Sequence, residues 1–501
     1  MSHPIPSEFD IVFAGGRLAA YDPSLRILIL EAVPTSTTVT FNIGNPSPRL
    51  NGRAPIVPCG RCVGWRLMFM VYTRPPASDY DDWETNGWES ESLIPLMKKL
   101  ETYEVQPDLP THGYDGPIKV SSGGCKVGIC DEFIQAVANF WLMYKRYIDG
   151  TTGRRSDAAH HYVYNQAHNS NLQVWDGKLV KRIIFKDKRA VGVEFTSDPV
   201  SCPDADRSSS IVRASKLVVV SAGAFGSPTI LERSGIGAEA ILKRCGIEQL
   251  VNLPGVGENY QDHNLAIVPY LAADNVVTMD ALWRGESILQ ESLAQWNSSG
   301  KSLIAQKLVQ VITAVASIQK IKWRPDDEEL KAMDPAFQPR WKEFFQDRPD
   351  KPVAIFTSFA GPSDIVPLDF GYKKTREVFR RMASYRGEVA AGHPDFPEGS
   401  AAACREASGP VDLNAPDIVY TAEDDEAINQ FHRDIVQTAW HSLGTCAMKP
   451  EADQGVVDAR LDVYDMSIVP LNVGANTYST ALLIGERAAM IIAEELGINC
   501  I

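Results

Sequence analysis

The chain has 501 residues, 44% of them hydrophobic and 22% charged, enough for about two to four domain-sized units with real cores. Its formal net charge of −14 repels a polyanion, which argues against nucleic acid as a partner and favours a small neutral ligand. Nine cysteines, odd in number and without framework spacing, read as reduced thiols of an intracellular compartment.

The first eight residues have neither a basic stretch nor an apolar core, so no secretory signal is predicted. Residues 9–14 (FDIVFA) form an apolar β-type run that leads into Gly15 and Gly16, and residues 26–30 (RILIL) form a second run followed by Glu31. Strand, glycines, strand and acid are the outline of a dinucleotide-binding unit, in which the acid bonds a ribose hydroxyl. The outline is short. Only residues 17–25, with Pro23 among them, join Gly16 to the second run, whereas a parallel crossover takes at least about 10 to 12 residues with its helix. The phosphate-binding turn and most of its helix are expected to be missing.

Cys59 and Cys62 form a CxxC with no second CxxC or histidine pair nearby, which reads as structural rather than as a zinc or redox site. Asp81 and Asp82, between aromatics, read as a cap or a solvated turn. Residues 84–104 predict a loop and an amphipathic helix, and residues 112–117 a turn-rich connection. His160, His161 and His168 lack the carboxylate and the spacing of a metal set, so a core or solvated role is expected.

Residues 179–195 alternate around Lys186-Asp187-Lys188 and predict a β-hairpin; residues 211–221 predict a further strand. Residues 223–237 (GAFGSPTILERSGIG) read as a glycine turn, Ser-Pro at a helix start, a short helix and a glycine stop. Residues 266–440 are mixed, with Pro, Trp and charge throughout. The longest apolar stretch, 308–321, is too short to span a bilayer.

The last block organises the chain: Trp440-His441-Ser442-Leu443-Gly444-Thr445, then residues 472–480 (NVGANTYST), then an Ala-rich, Ile/Met-striped run that predicts a closing helix, with Thr477, Ser479 and Thr480 as N-cap candidates. His441 is suited to taking a proton from an alcohol, and Asn476 to holding the same oxygen, beside the positive end of a helix. On the fragment alone, a histidine in such a turn is more often structural.

The wording WHSLGT followed by NVGANTYSTALLIGERAA resembles the C-terminal signature of the glucose-methanol-choline (GMC) oxidoreductases, and is most similar to their alcohol oxidase branch, in which the second position is Asn. Residues 71–83 (VYTRPPASDYDDW) are typical of that branch, residues 223–237 fit the family's second signature, and residues 253–263 (LPGVGENYQDH) fit the block after it. The resemblance implies an α/β fold: a discontinuous doubly wound FAD-binding domain (1–64, 171–265 and 440–501) and an antiparallel-sheet substrate domain (65–170 and 266–439). It implies FAD-dependent oxidation of a primary alcohol to an aldehyde, with oxygen or another acceptor taking the electrons. His441 would be the base and Asn476 the group that orients the alcohol. Glu31 would bind ribose, Gly15 and Gly16 the phosphate side, and Asp465 and Thr477 the flavin end. His263 belongs, by the same resemblance, to the cofactor-proximal scaffold, and residues 153–160 would open a helix near the cofactor or substrate.

The departures are abrupt. After residues 51–64 the family's glycine- and serine-rich contact with the flavin gives way to Trp65-Arg66-Leu67-Met68, and Asp465-Met466-Ser467 follows Tyr464 where a buried strand belongs. Intact wording on both sides of each gap points to coding segments dropped or wrongly retained in the gene model. A non-catalytic homologue acting as an interaction protein remains the alternative, and an NAD-linked dehydrogenase leaves the C-terminal signature unexplained. A cytoplasmic location is expected; a peroxisomal one is possible by family, although Asn499-Cys500-Ile501 is not a targeting tripeptide. Methanol, an aryl alcohol and an intermediate of secondary metabolism are all compatible substrates, and no membrane association is expected.

Overall fold

Strands that are apolar on both faces belong in the middle of a parallel sheet, and the first two runs do so. A computed structural model of the chain describes residues 7–14, 22–32, 38–61, 72–123, 132, 136, 141–143, 146–276, 286–302, 320–333, 335–357, 365–460 and 463–498. Its main sheet contains β1 (Glu8–Ala14), β2 (Ile27–Leu30), β3 (Leu172–Trp175), β4 (Lys178–Lys186), β5 (Arg189–Ser197) and β6 (Ser210–Val220), in the spatial order β3-β2-β1-β6-β5-β4. The first four of that order run parallel, with Ile11 beside Ile27 on one side and Leu217 on the other. All four residues of β2 are buried.

The antiparallel half follows from local sequence. β4 and β5 join through Asp187 and Lys188, both with left-handed φ (51° and 63°), the two-residue turn whose twist suits a hairpin. After β6 the chain enters helix α2 (Gly223–Arg233), the short helix expected there, and Gly235 at φ 85° ends it. Upstream lies α1 (Ser90–Leu100), its N-terminus capped by Asp81, which accepts from the backbone and hydroxyl of Ser90. Asp82 is not solvated; it pairs with Arg348 at 2.7 Å and with Lys351.

The closing helix, α5, spans Tyr478–Leu496, after α3 (Ile365–Arg380) and α4 (Ala422–Ile435). Leu483, Ile484, Ala488, Ala489, Ile491 and Ile492 bury themselves in the same core as β1, β2 and β6. Gly497, at φ 69°, turns the chain so that Ile498 N–H reaches back to Ala493 O at 2.8 Å, which satisfies the helix end. Of the expected N-caps, Thr477 occupies the position but makes no side-chain capping bond. Ser479 instead donates to Thr73 O at 2.7 Å.

Around this core lie small antiparallel sheets: Lys320–Trp323 between Ala354–Thr357 and Trp141–Met143, and Tyr270–Ala272 with Tyr385–Glu388. Residues 153–160 do not open a full helix. They lead into one π-type turn (Ala159–Val163) and one 3-10 turn (Tyr164–Gln166), as Asp157 caps His160 N–H and Asn165 bonds back to His161 O. Beside β6, Val463 makes a single parallel bridge to Val220 among the described residues. No helix among the described residues is long and apolar enough to cross a membrane.

Two predictions follow from this packing. Trp88 is fully buried and its indole N–H donates to Ala459 O at 3.1 Å, so Trp88→Ala should cost about 3–5 kcal/mol, read as a lowered urea midpoint. Burial pushes the Cys59 thiol up to about 11, so Cys59 should be alkylated at about pH 8 far more slowly than exposed Cys245, with peptide mapping as the readout, and its rate should climb with pH.

Candidate active site

His441 is placed by a slip between two chain segments. Asn264 pairs with Thr438 and Leu265 with Gln437, but Gln261 pairs with Leu443, so the 438–443 side carries two residues more than its partner. The surplus bulges at Trp440, whose φ of 62° is rare for a bulky residue and is held by the bonds on either side: Ala439 N to His263 O at 2.8 Å and Leu443 N to Gln261 O at 3.0 Å. The slip sets His441 opposite His263. Their Nδ1 atoms lie 2.9 Å apart with the rings nearly perpendicular, and His263 Nε2 stands 2.8 Å from Val473 O.

Asp262 holds both histidines by their backbones, as its Oδ1 accepts from His263 N and from His441 N. Its Oδ2 accepts from Tyr260 Oη and Ser442 Oγ. Burial pushes this carboxyl above the usual carboxylate range, against the pull of those four bonds.

The second expected residue arrives from the loop ahead of α5. Asn476 Nδ2 lies 3.1 Å from His441 Nε2. Buried Thr73 fixes that amide: Oγ1 accepts from Asn476 N at 2.8 Å and donates to Asn476 Oδ1 at 3.1 Å. One turn earlier in the loop, Gly474 N donates to Asp79 Oδ2 at 2.6 Å, and Lys351 Nζ stands 3.1 Å from Asp79 Oδ1. His441 and Asn476 are each half-buried, so neither is sealed into the core.

The nucleotide side is partly legible. Gly15 and Gly16 lie outside the described residues. Glu31 follows β2 directly, half-buried, with its N–H on Trp175 O at 3.0 Å and its carbonyl on Lys178 N at 2.9 Å, so its backbone is fixed at the carboxyl end of the parallel strands. That edge, beside the central strand β1, is where open α/β sheets receive dinucleotides. Gly223, at φ 78°, has open space where a Cβ would stand. These residues fit a dinucleotide.

Asp465 stands at the same edge, but Gly223 N (2.9 Å) and Ser227 Oγ (2.5 Å) bond its Oδ2 and Ser467 N (2.7 Å) its Oδ1. It therefore caps α2 as well as the turn it begins. Thr477 is buried at the mouth of α5, next to Asn476.

The structure thus brings together His441, Asn476 and Thr477, with Glu31 and Asp465 along the sheet edge. Sequence reasoning passed over Thr73 and Asp79 as partners of this site and set His263 aside as scaffold. The Asp262-His263 dipeptide was one available signal, and Thr73 and Asp79 lie within residues 71–83, the block whose wording resembles the alcohol oxidase branch.

Two family domains described as GMC oxidoreductase match residues 9–265 and 340–485. Alcohol oxidase 1 of Komagataella phaffii is 34% identical over 649 aligned residues, covering 98% of this chain and 96% of its own length. The alcohol oxidase of Candida boidinii is 32% identical over 650, with the same coverage. These alignments are longer than the 501-residue chain, so the relatives carry stretches that it lacks. Among solved structures, an FAD-dependent oxidoreductase from Chaetomium thermophilum superposes with a TM-score of 0.79 at 21% identity, covering 98% of this chain and 100% of that one. A fungal aryl-alcohol oxidase gives 0.73 at 19%, with the same coverage. The chain belongs to the GMC oxidoreductase family.

Proposed function

We propose that the chain is an FAD-dependent oxidoreductase that converts a primary alcohol to an aldehyde. The observation that carries this reading is the 3.1 Å approach of Asn476 Nδ2 to His441 Nε2 at the mouth of α5. A base and a hydrogen-bond donor held this close would both reach one hydroxyl oxygen. His441 Nε2 takes the hydroxyl proton, and the Asn476 amide donates to the oxygen and orients it. FAD, when bound, accepts the hydride that leaves the carbinol carbon.

Glu31 would hold the adenosine ribose from the end of β2, with Gly15 and Gly16 on the phosphate side. Thr477 and the positive end of α5 would serve the flavin end, and Asp465 would support it by fixing the start of α2. The main-sheet segments would form the cofactor domain (1–64, 171–265 and 440–501), and the small antiparallel sheets the substrate domain (65–170 and 266–439). The similarity to alcohol oxidases supports a small alcohol as substrate and oxygen as the acceptor.

The test is the absorbance spectrum of the purified chain before and after incubation with FAD, followed by oxygen consumption with a panel of primary alcohols. Flavin bands that survive gel filtration are expected. His441→Ala should then keep the flavin and lose about 10²- to 10⁴-fold in kcat. A folded protein that retains no flavin would overturn the proposal and leave the non-catalytic reading in its place.

A further inference from the structure

Two chains of hydrogen bonds reach His441 from opposite sides, and each dictates where its proton sits. From one side, Val473 O can only accept, so His263 Nε2, 2.8 Å away, carries a hydrogen. A neutral imidazole has one N–H, which leaves His263 Nδ1 as an acceptor. His441 Nδ1 faces it at 2.9 Å and must therefore be the donor. From the other side, Thr73 Oγ1 accepts from Asn476 N, and its own hydrogen goes to Asn476 Oδ1. The Asn476 NH₂ group then points at His441 Nε2, which must present a lone pair. The two routes share no residue before His441, and they agree.

We infer that His263 is a positioning residue for the base: by accepting the Nδ1 proton of His441 it keeps the proton off Nε2, the nitrogen that faces Asn476. This rests on the alcohol-oxidation reading for its purpose, but the tautomer itself is independent of flavin and alcohol. The slip at Trp440 supports the assignment, since it brings the two Nδ1 atoms face to face. Asp262 supports it as well: its carboxylate takes the backbone N–H of both histidines, and its other oxygen takes Tyr260 and Ser442. An imidazolium at His263 would reverse the first route and contradict the second.

The experiment is long-range ¹H–¹⁵N NMR of the flavin-free chain labelled in its histidine rings, at about pH 8, with His441 assigned by its loss in His441→Gln. Nδ1 of His441 is expected in the N–H range and Nε2 in the lone-pair range. In His263→Leu both resonances should shift towards the average of the two tautomers. His263→Asn, whose amide oxygen can stand in for Nδ1 as the acceptor, should restore the wild-type pattern. Nε2–H in the wild-type chain, read without any variant, would overturn the inference, as would a His263→Leu spectrum in which His441 is unchanged. Failure of the alcohol-oxidation reading would show instead as an inactive chain whose NMR pattern is as expected.

Discussion

The carboxylate of Asp79 joins three distant parts of the chain, and the site depends on the junction. It accepts the Gly474 N–H at 2.6 Å and stands 3.1 Å from the Lys351 ammonium, with both side chains nearly buried. A Cβ on Gly474 would fall 3.3 Å from both Asp79 Oδ2 and Pro352 Cγ, a tight fit that the neighbours would have to ease. Removing one partner of a buried ion pair leaves an uncompensated charge, which typically costs about 3–5 kcal/mol, so the loop carrying Asn476 is held by a contact with few tolerable alternatives. Two indoles reinforce it: Trp83 donates to Leu471 O and Trp88 to Ala459 O, both at 3.1 Å. Residues 77–100 thus serve as a template on which the C-terminal block is laid.

Most of the frame was legible because it is local. The unbroken apolar runs of β1 and β2 fix them as interior parallel strands, Asp187-Lys188 fixes a hairpin, and the glycines around residues 223–235 fix the start and stop of α2. His441 and Asn476 stood out by chemistry and wording. What surrounds them did not. That His263 meets His441 follows from a register slip between segments about 180 residues apart, and that Thr73 sets the Asn476 amide follows from a contact across 403 residues. Pairing register is a tertiary property; a period of two in either segment is the same before and after the slip. The helix expected after residue 153 stays short for a local reason: Asp157 caps its start, but Asn165 bonds back to the His161 carbonyl with its side chain.

The abrupt departures in the sequence have a structural counterpart. Val463 touches Val220 in one bridge where a strand would lie, and Tyr464 N donates to Val220 O at 2.9 Å before the chain turns at Asp465. The cap at Asp465 survives, so α2 keeps its start although little sheet is left beside it.

The burial of α5 sets a clock on biogenesis. The core that contains β1 and β2, made first, is completed by Leu483, Ile484, Ala489 and Ile492, made last. A chain still emerging from the ribosome therefore holds strands whose apolar surface is not fully covered until synthesis is nearly finished. Such intermediates are prone to aggregation, and loop closure over this separation is slow. The same arrangement that places a helix mouth beside His441 leaves the core of the first strands open until the last residues are made.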